Sequence, residues 1–270
     1  MNLNESSFSL QSALFLAQAS KLAYSSPATA KPGAIKSLGF KTARFISKKD
    51  TQLFVAQSPS AILVAFRGTQ QIKDWLTNLD SMLLKVPLGE VHRRFYEALQ
   101  LVWPNIDHTI KTYSDNSQKI WFTGHSLGGA LAMLAASMFL DKPEQLGGLY
   151  TFGQPRIGNE AFTKNFDVNL KSKTYRFVNN NDIVPRVPPR KMDYSDAGQF
   201  RYFNIFGQMY SDPKTWQLFL NSMGGMAEKA LSRYNELNTF VLNNAMMDWV
   251  SDHGLENYIA NIQKNIDKKV

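Results

Sequence analysis

The sequence predicts an α/β protein with a mostly parallel central sheet covered by helices on both faces. Three observations carry that expectation. The apolar runs Ala61–Phe66 and Ile120-Trp121-Phe122 lack the alternation of a half-exposed strand, as strands buried on both sides do. Strand and helix patterns then follow one another in the order that builds a parallel sheet. Finally, 270 residues of which 44% are hydrophobic supply a sizeable core, and disorder is excluded.

In chain order, residues 8–24 read as an amphipathic N-terminal helix. Ala28-Thr29-Ala30 looks like a signal cleavage site, but Glu5, the lack of early Lys or Arg, and Gln11, Ser12 and Gln18 in the apolar stretch speak against a leader. A cytoplasmic or peripheral membrane location is therefore favoured over a secreted one. Residues 40–47 and 52–57, joined by Lys48-Lys49-Asp50-Thr51, predict a hairpin. The buried strand Ala61–Phe66 runs into Arg67-Gly68-Thr69, and residues 95–113 predict a helix that Pro104 should kink or restart. The strand at Ile120 and a small-residue helix over 130–140 come next, then strands at 149–152 and 174–178, the last closing on the Asn-rich 179–181. Residues from about 190 to 250, rich in Met, Phe and Trp, predict a helical cap without a strong central strand. The whole of 1–270 is expected to be one domain.

Composition narrows the function. Without cysteine there is no disulfide and no thiolate chemistry. The net charge of +8 comes from scattered basic residues such as Lys48-Lys49, Arg93-Arg94 and Arg190-Lys191, so no nucleic-acid track is expected, while contact with a lipid surface remains open. No segment reaches the roughly 18 uninterrupted apolar residues of a membrane span.

Gly124-His125-Ser126-Leu127-Gly128-Gly129 fits G-x-S-x-G between a strand and a helix. This nucleophile elbow pushes a serine hydroxyl out at a helix N-terminus, where the Leu127 N–H can stabilise an oxyanion. Serine needs a base, and the base needs an orienting carboxylate. In this arrangement the acid and then the histidine follow the serine. Of the four histidines, His92 and His108 precede Ser126 and His125 lies within the elbow, which leaves His253, in the loop Ser251-Asp252-His253-Gly254. Among the aspartates, Asp141 and Asp167 read as helix caps, and Asp248 and Asp252 stand too near His253 in sequence. Asp182, just past the strand at 174–178, is the choice by position, with an Asx-turn residue as the competing reading.

Four blocks resemble the class 3 lipases: Phe66-Arg67-Gly68-Thr69 with Trp75 following, Gly124 to Gly129, Thr151-Phe152-Gly153-Gln154-Pro155-Arg156-Ile157-Gly158, and Asn181-Asp182-Ile183-Val184-Pro185-Arg186-Val187-Pro188-Pro189. Asp252-His253 is similar to the family's terminal histidine. The resemblance implies an α/β-hydrolase fold with a helical cap or lid, a Ser126–Asp182–His253 triad acting on lipid esters without metal or organic cofactor, and Thr69 as the second oxyanion donor. It also implies that Gly153-Gln154-Pro155 and Val184-Pro185 wall the cleft, and that a lid spans about 70–80. Ile72, Trp75, Leu76 and Leu79, spaced i, i+3, i+4, i+7, would form the lid's apolar face, against the alternative of an ordinary core helix. Phospholipids or galactolipids are the second substrate choice, and an inactive lipid-surface protein is the remote one. Two departures stand out: Arg94 in Val91-His92-Arg93-Arg94-Phe95 replaces a small residue, and Asn78 replaces an aspartate that braces the oxyanion residue in several fungal members. Trp216, Leu218, Phe219, Leu220, Met223, Met226, Met246, Met247, Trp249 and Val250 suit an acyl groove and a core equally.

Overall fold

A computed structural model describes residues 3, 7–77, 80–115, 117–211 and 251–268. Its centre is an eight-stranded sheet in the order β1-β2-β3-β6-β7-β8-β9-β10. These strands are β1 Thr42–Lys48, β2 Thr51–Gln57, β3 Ala61–Phe66, β6 Lys119–His125, β7 Leu146–Phe152, β8 Thr174–Asn179, β9 Gln199–Phe203 and β10 Met209–Tyr210. From β3 through β9 every neighbouring pair is parallel, while β1, β2 and β10 are attached antiparallel. A separate hairpin pairs β4 (Leu83–Val86) with β5 (Gly89–His92).

The helices divide between the two faces. On one, α4 (Arg93–Tyr113), α5 (Leu127–Ser137) and α6 (Glu160–Leu170) pack on Ile62, Val64, Phe66, Ile120 and Phe122. On the other, α1 (Leu10–Leu22) and α7 (Leu255–Asp267) pack on Leu63, Ala65, Trp121, Tyr150, Phe152 and Phe177, with α2 (Pro27–Lys36) beside them. Consecutive residues of β3 thus feed opposite cores. That is why its sequence is apolar without alternation, and it buries all six residues.

Four expectations need correction. First, residues 199–203 are not part of a helical cap: they form β9, which extends the parallel sheet from Tyr175↔Gln199 to Asn179↔Phe203, with β10 beyond it. Arg201 obscured this strand, because a cation inside five residues breaks the apolar pattern; its guanidinium lies over the Phe8 ring at 4.3 Å and the Tyr175 ring at 5.1 Å. Second, α4 does not restart at Pro104 but runs through it as one helix. Pro104 and Gln100, whose carbonyl it deprives of a helical partner, both lie on the exposed side, where water can replace the lost bond. Third, α1 is buried on most sides because it lies between the sheet and α7. Fourth, the β1–β2 turn is only Lys49-Asp50, with Lys49 at φ 49°.

Among the described residues no helix is long and apolar enough to cross a membrane. The calls on 212–250, together with Asn78 and Leu79, lie outside the described residues.

Candidate active site

Ser126 joins β6 to α5 with φ 58° and ψ −131°, a conformation strained for a residue with a side chain. The two motif glycines make the turn possible by leaving no side chain in the way. A Cβ on Gly124 would collide with the Gly128 carbonyl, and one on Gly128 with the Phe66 carbonyl. The Ser126 N–H bonds the Phe152 carbonyl at 2.9 Å, which pins the turn to the end of β7. Its hydroxyl is buried and has no hydrogen-bond partner among the described residues. Leu127 opens α5, so its N–H is one of the helix's unpaired first-turn donors.

Asp182 and His253 come together. His253 Nδ1 lies 3.0 Å from Asp182 Oδ1 and 2.9 Å from Oδ2, and both residues are buried. A carboxylate only accepts, so this contact puts the proton on Nδ1 and leaves Nε2 with its lone pair. Nε2 is buried without a partner among the described residues, and no hydrogen bond joins it to Ser126 Oγ. The backbone links the two halves of the site. Gly153 follows the Phe152 that holds Ser126; it adopts φ 58°, and a Cβ there would sit 2.8 Å from both Asp182 Oδ2 and His253 Nδ1.

Asp182 carries two further bonds. Oδ1 accepts the Val184 N–H at 2.9 Å, so the Asx-turn reading holds alongside the histidine contact. Oδ2 accepts the Tyr258 hydroxyl of α7 at 2.5 Å. Burial, and then the adjacent carboxylate, push the Tyr258 phenol well above its ordinary range and keep it a donor. Asp252, set aside as too local, faces away from the imidazole: its carboxylate takes Asn180 Nδ2 at 3.0 Å and the Asn181 N–H at 3.1 Å, and its carbonyl takes Asn179 Nδ2 at 2.9 Å. It clamps the acid loop to the histidine loop. Sequence reasoning missed Tyr258 and this clamp, since neither has a local signature.

The segment before Thr69 runs against Ser126, where a Cβ on Gly68 would stand 3.1 Å from Ser126 Cβ. Thr69 is half-buried, and its hydroxyl accepts the Gln71 N–H at 3.2 Å. The segment that follows contains the short helix α3 (Ile72–Thr77), in which Ile72, Trp75 and Leu76 are half-buried. Trp75 stacks on Phe95 with centroids 6.1 Å apart and planes at 16°. Between α3 and α5 lies a cavity of about 210 Å³ whose walls include Trp75, His92, Phe95 and Leu127. Arg94 stands at it, bonded through Nε to Asp80 at 3.0 Å, so the side chain that replaces a small residue is tied back by a carboxylate. Among the described residues no cluster of His, Asp or Glu could hold a metal ion.

The model of the family "Lipase (class 3)" matches residues 63–192. The lipase of Rhizomucor miehei is 36% identical over 163 residues, covering 56% of this chain and 44% of that protein. A secreted mono- and diacylglycerol lipase of Fusarium solani is 34% identical, covering 57% of this chain and 43% of that protein. The chain thus spans less than half the length of these curated relatives. Among solved structures, a triacylglycerol lipase whose catalytic centre is described as a serine protease triad superposes with TM-score 0.63 at 30% identity, covering 72% of this chain and 80% of that one. The Rhizomucor miehei triacylglyceride lipase superposes with TM-score 0.61 at 28% identity, covering 74% and 81%. An α/β-hydrolase sheet, a serine on a strained strand-to-helix turn, and these likenesses in sequence and structure lead to one conclusion: the chain belongs to the class 3 lipase family.

Proposed function

We propose that the chain hydrolyses carboxylic esters of acylglycerols through Ser126, His253 and Asp182. The observation that carries this reading is the buried His253–Asp182 pair, held through Phe152-Gly153 beside a strained Ser126 whose hydroxyl is unpaired among the described residues. Ser126 Oγ attacks the ester carbonyl carbon while its proton passes to His253 Nε2. Asp182, accepting the Nδ1–H, balances the charge of the imidazolium. The Leu127 and Thr69 N–H groups receive the developing oxyanion. Collapse expels the alcohol, which takes the proton from Nε2, and water activated by the same nitrogen then releases the fatty acid and restores Ser126. This route uses no metal or organic cofactor.

We assign Ile72, Trp75 and Leu76 of α3, with Leu79 beyond it, to a lid over the acyl site. Opening would separate Trp75 from Phe95 and expose apolar surface, a cost that a lipid surface lowers. Arg94 beside the cavity, with the net charge of +8, favours anionic phospholipids as the second substrate class.

The test is fatty-acid release from tributyrin as its concentration crosses the solubility limit, with Ser126→Ala as blank and Trp75→Ala as the lid variant. Activity lost in Ser126→Ala, with a jump at the limit that Trp75→Ala weakens, is the expected result. Smooth saturation below the limit removes the lid assignment. Release from phosphatidylglycerol vesicles but not tributyrin moves the substrate to phospholipids, and silence on both leaves a lipid-surface protein without catalysis.

A further inference from the structure

His125, inside the elbow, is a buried titratable group that the reaction above does not use. Its Nε2 lies 2.7 Å from the carbonyl oxygen of His253. A carbonyl only accepts, so Nε2 carries the proton, and Nδ1 of the neutral ring is an acceptor. The Tyr24 hydroxyl is 2.8 Å from Nδ1 and must therefore donate to it. Tyr24 in turn packs on Gly68, the residue before Thr69, where an added Cβ would collide with the Tyr24 hydroxyl. Both donors point the same way, Tyr24 O–H to His125 and His125 Nε2–H to His253, and the row starts where Tyr24 meets Gly68.

The surroundings keep the row in this state. Burial, and then the neighbouring His253, hold the His125 imidazole well below its ordinary range, so it stays neutral. Burial raises the Tyr24 phenol, so it keeps its proton. The His125 ring also lies against the His253 ring, with centroids 4.4 Å apart and planes at 33°, so it fixes that imidazole's tilt as well as its backbone. The row ends on the two parts of the site that come from distant segments, the loop bearing the base and the segment bearing the oxyanion donor.

We propose that Tyr24 and His125 are positioning residues, a tie that is hydrogen-bonded to the His253 loop, packs on Gly68 and sets that loop in register with the Thr69 segment. The proposal rests on the esterase reading above. Neither residue touches the reacting atoms. Their contribution is therefore to the geometry of the transition state more than to substrate affinity, and removing either link should lower kcat and leave KM nearly unchanged. Because the links are in series, breaking a second should add little to breaking the first.

The experiment is the hydrolysis of soluble p-nitrophenyl butyrate by the full chain and by Tyr24→Phe, His125→Gln and the double variant, with nitrogen NMR of the histidine rings as a readout independent of activity. Tyr24→Phe keeps the ring and loses only the hydroxyl. It should lower kcat about tenfold and move KM less than about twofold. The double variant should fall no further than the worse single one, and the His253 ring signals should shift in Tyr24→Phe. Unchanged kcat with Tyr24→Phe, losses that multiply in the double variant, or a change in KM alone overturns the proposal. A parent chain that does not cleave the ester while Ser126 resists a fluorophosphonate sinks the esterase reading. In that case the spectrum decides: a His125 proton on Nδ1 in the parent chain, or His253 signals indifferent to Tyr24→Phe, overturns the tie on its own.

Discussion

Asp182 is a fully buried carboxylate that is satisfied from three directions, by His253 Nδ1, the Tyr258 hydroxyl and the Val184 N–H. In the proposed mechanism each bond would hold the charge that the imidazolium needs opposite it. Tyr258→Phe removes one donor and leaves an under-satisfied buried oxygen. The expected outcome is a fall in kcat of about tenfold with little change in KM, and a stability loss of roughly 1–3 kcal/mol in urea unfolding. A variant with wild-type kcat would show that the phenol serves packing alone. His253 was legible in the sequence because it alone of four histidines follows the serine, and Asp182 because it follows a strand end. Tyr258 and Tyr24 were not, since a hydroxyl that reaches a site 76 or 101 residues away in sequence leaves no local pattern.

The elements were legible where both faces of a strand are covered, as in β3 and β6, and where small residues announce a closely packed helix, as in α5. They were less so at the margins of the sheet. β9 has a central arginine whose charge is hidden over aromatic rings, and the four-residue strands β4 and β5 are too short to show a period. Pro104 lies within α4 without restarting it, because the packing of Leu99, Val102 and Ile106 holds the two halves in one helix. Pro104→Ala should therefore restore a backbone bond on the exposed face without touching the core. It should stabilise the chain by about 1–2 kcal/mol, read as a higher thermal midpoint with unchanged activity. A lower midpoint would mean that the proline is doing something the helix needs.

At the scale of the whole molecule, two cores share one sheet, and the buried polar groups that cross them couple stability to pH. Burial holds His92 down to about 4 and His125 well below its ordinary value of 6.5. In an unfolded chain both rings return to about 6.5. Between about 4 and 6.5 the unfolded state therefore binds more protons than the folded one, and stability falls as the pH drops through that window. For His92 alone the loss is about 2 kcal/mol at pH 5. His92→Phe, which keeps the stack on Phe95, should show a smaller drop in urea midpoint between pH 7.5 and pH 5 than the parent chain. Equal drops would assign the pH dependence to other groups.

The grip of Asp252 on residues 180 and 181 locks the Asp182 loop to the His253 loop. In the proposed triad, acid and base would then form a single cassette, fastened to the elbow of the nucleophile through the His125 bond to the His253 carbonyl. A disturbance that moves the cassette alters the gap to the serine but leaves the partnership within it intact. Activity can then be throttled by distance alone, with the basicity of the imidazole held constant, so inhibitors or mutations that pry at this seam would slow turnover without displacing its pH profile.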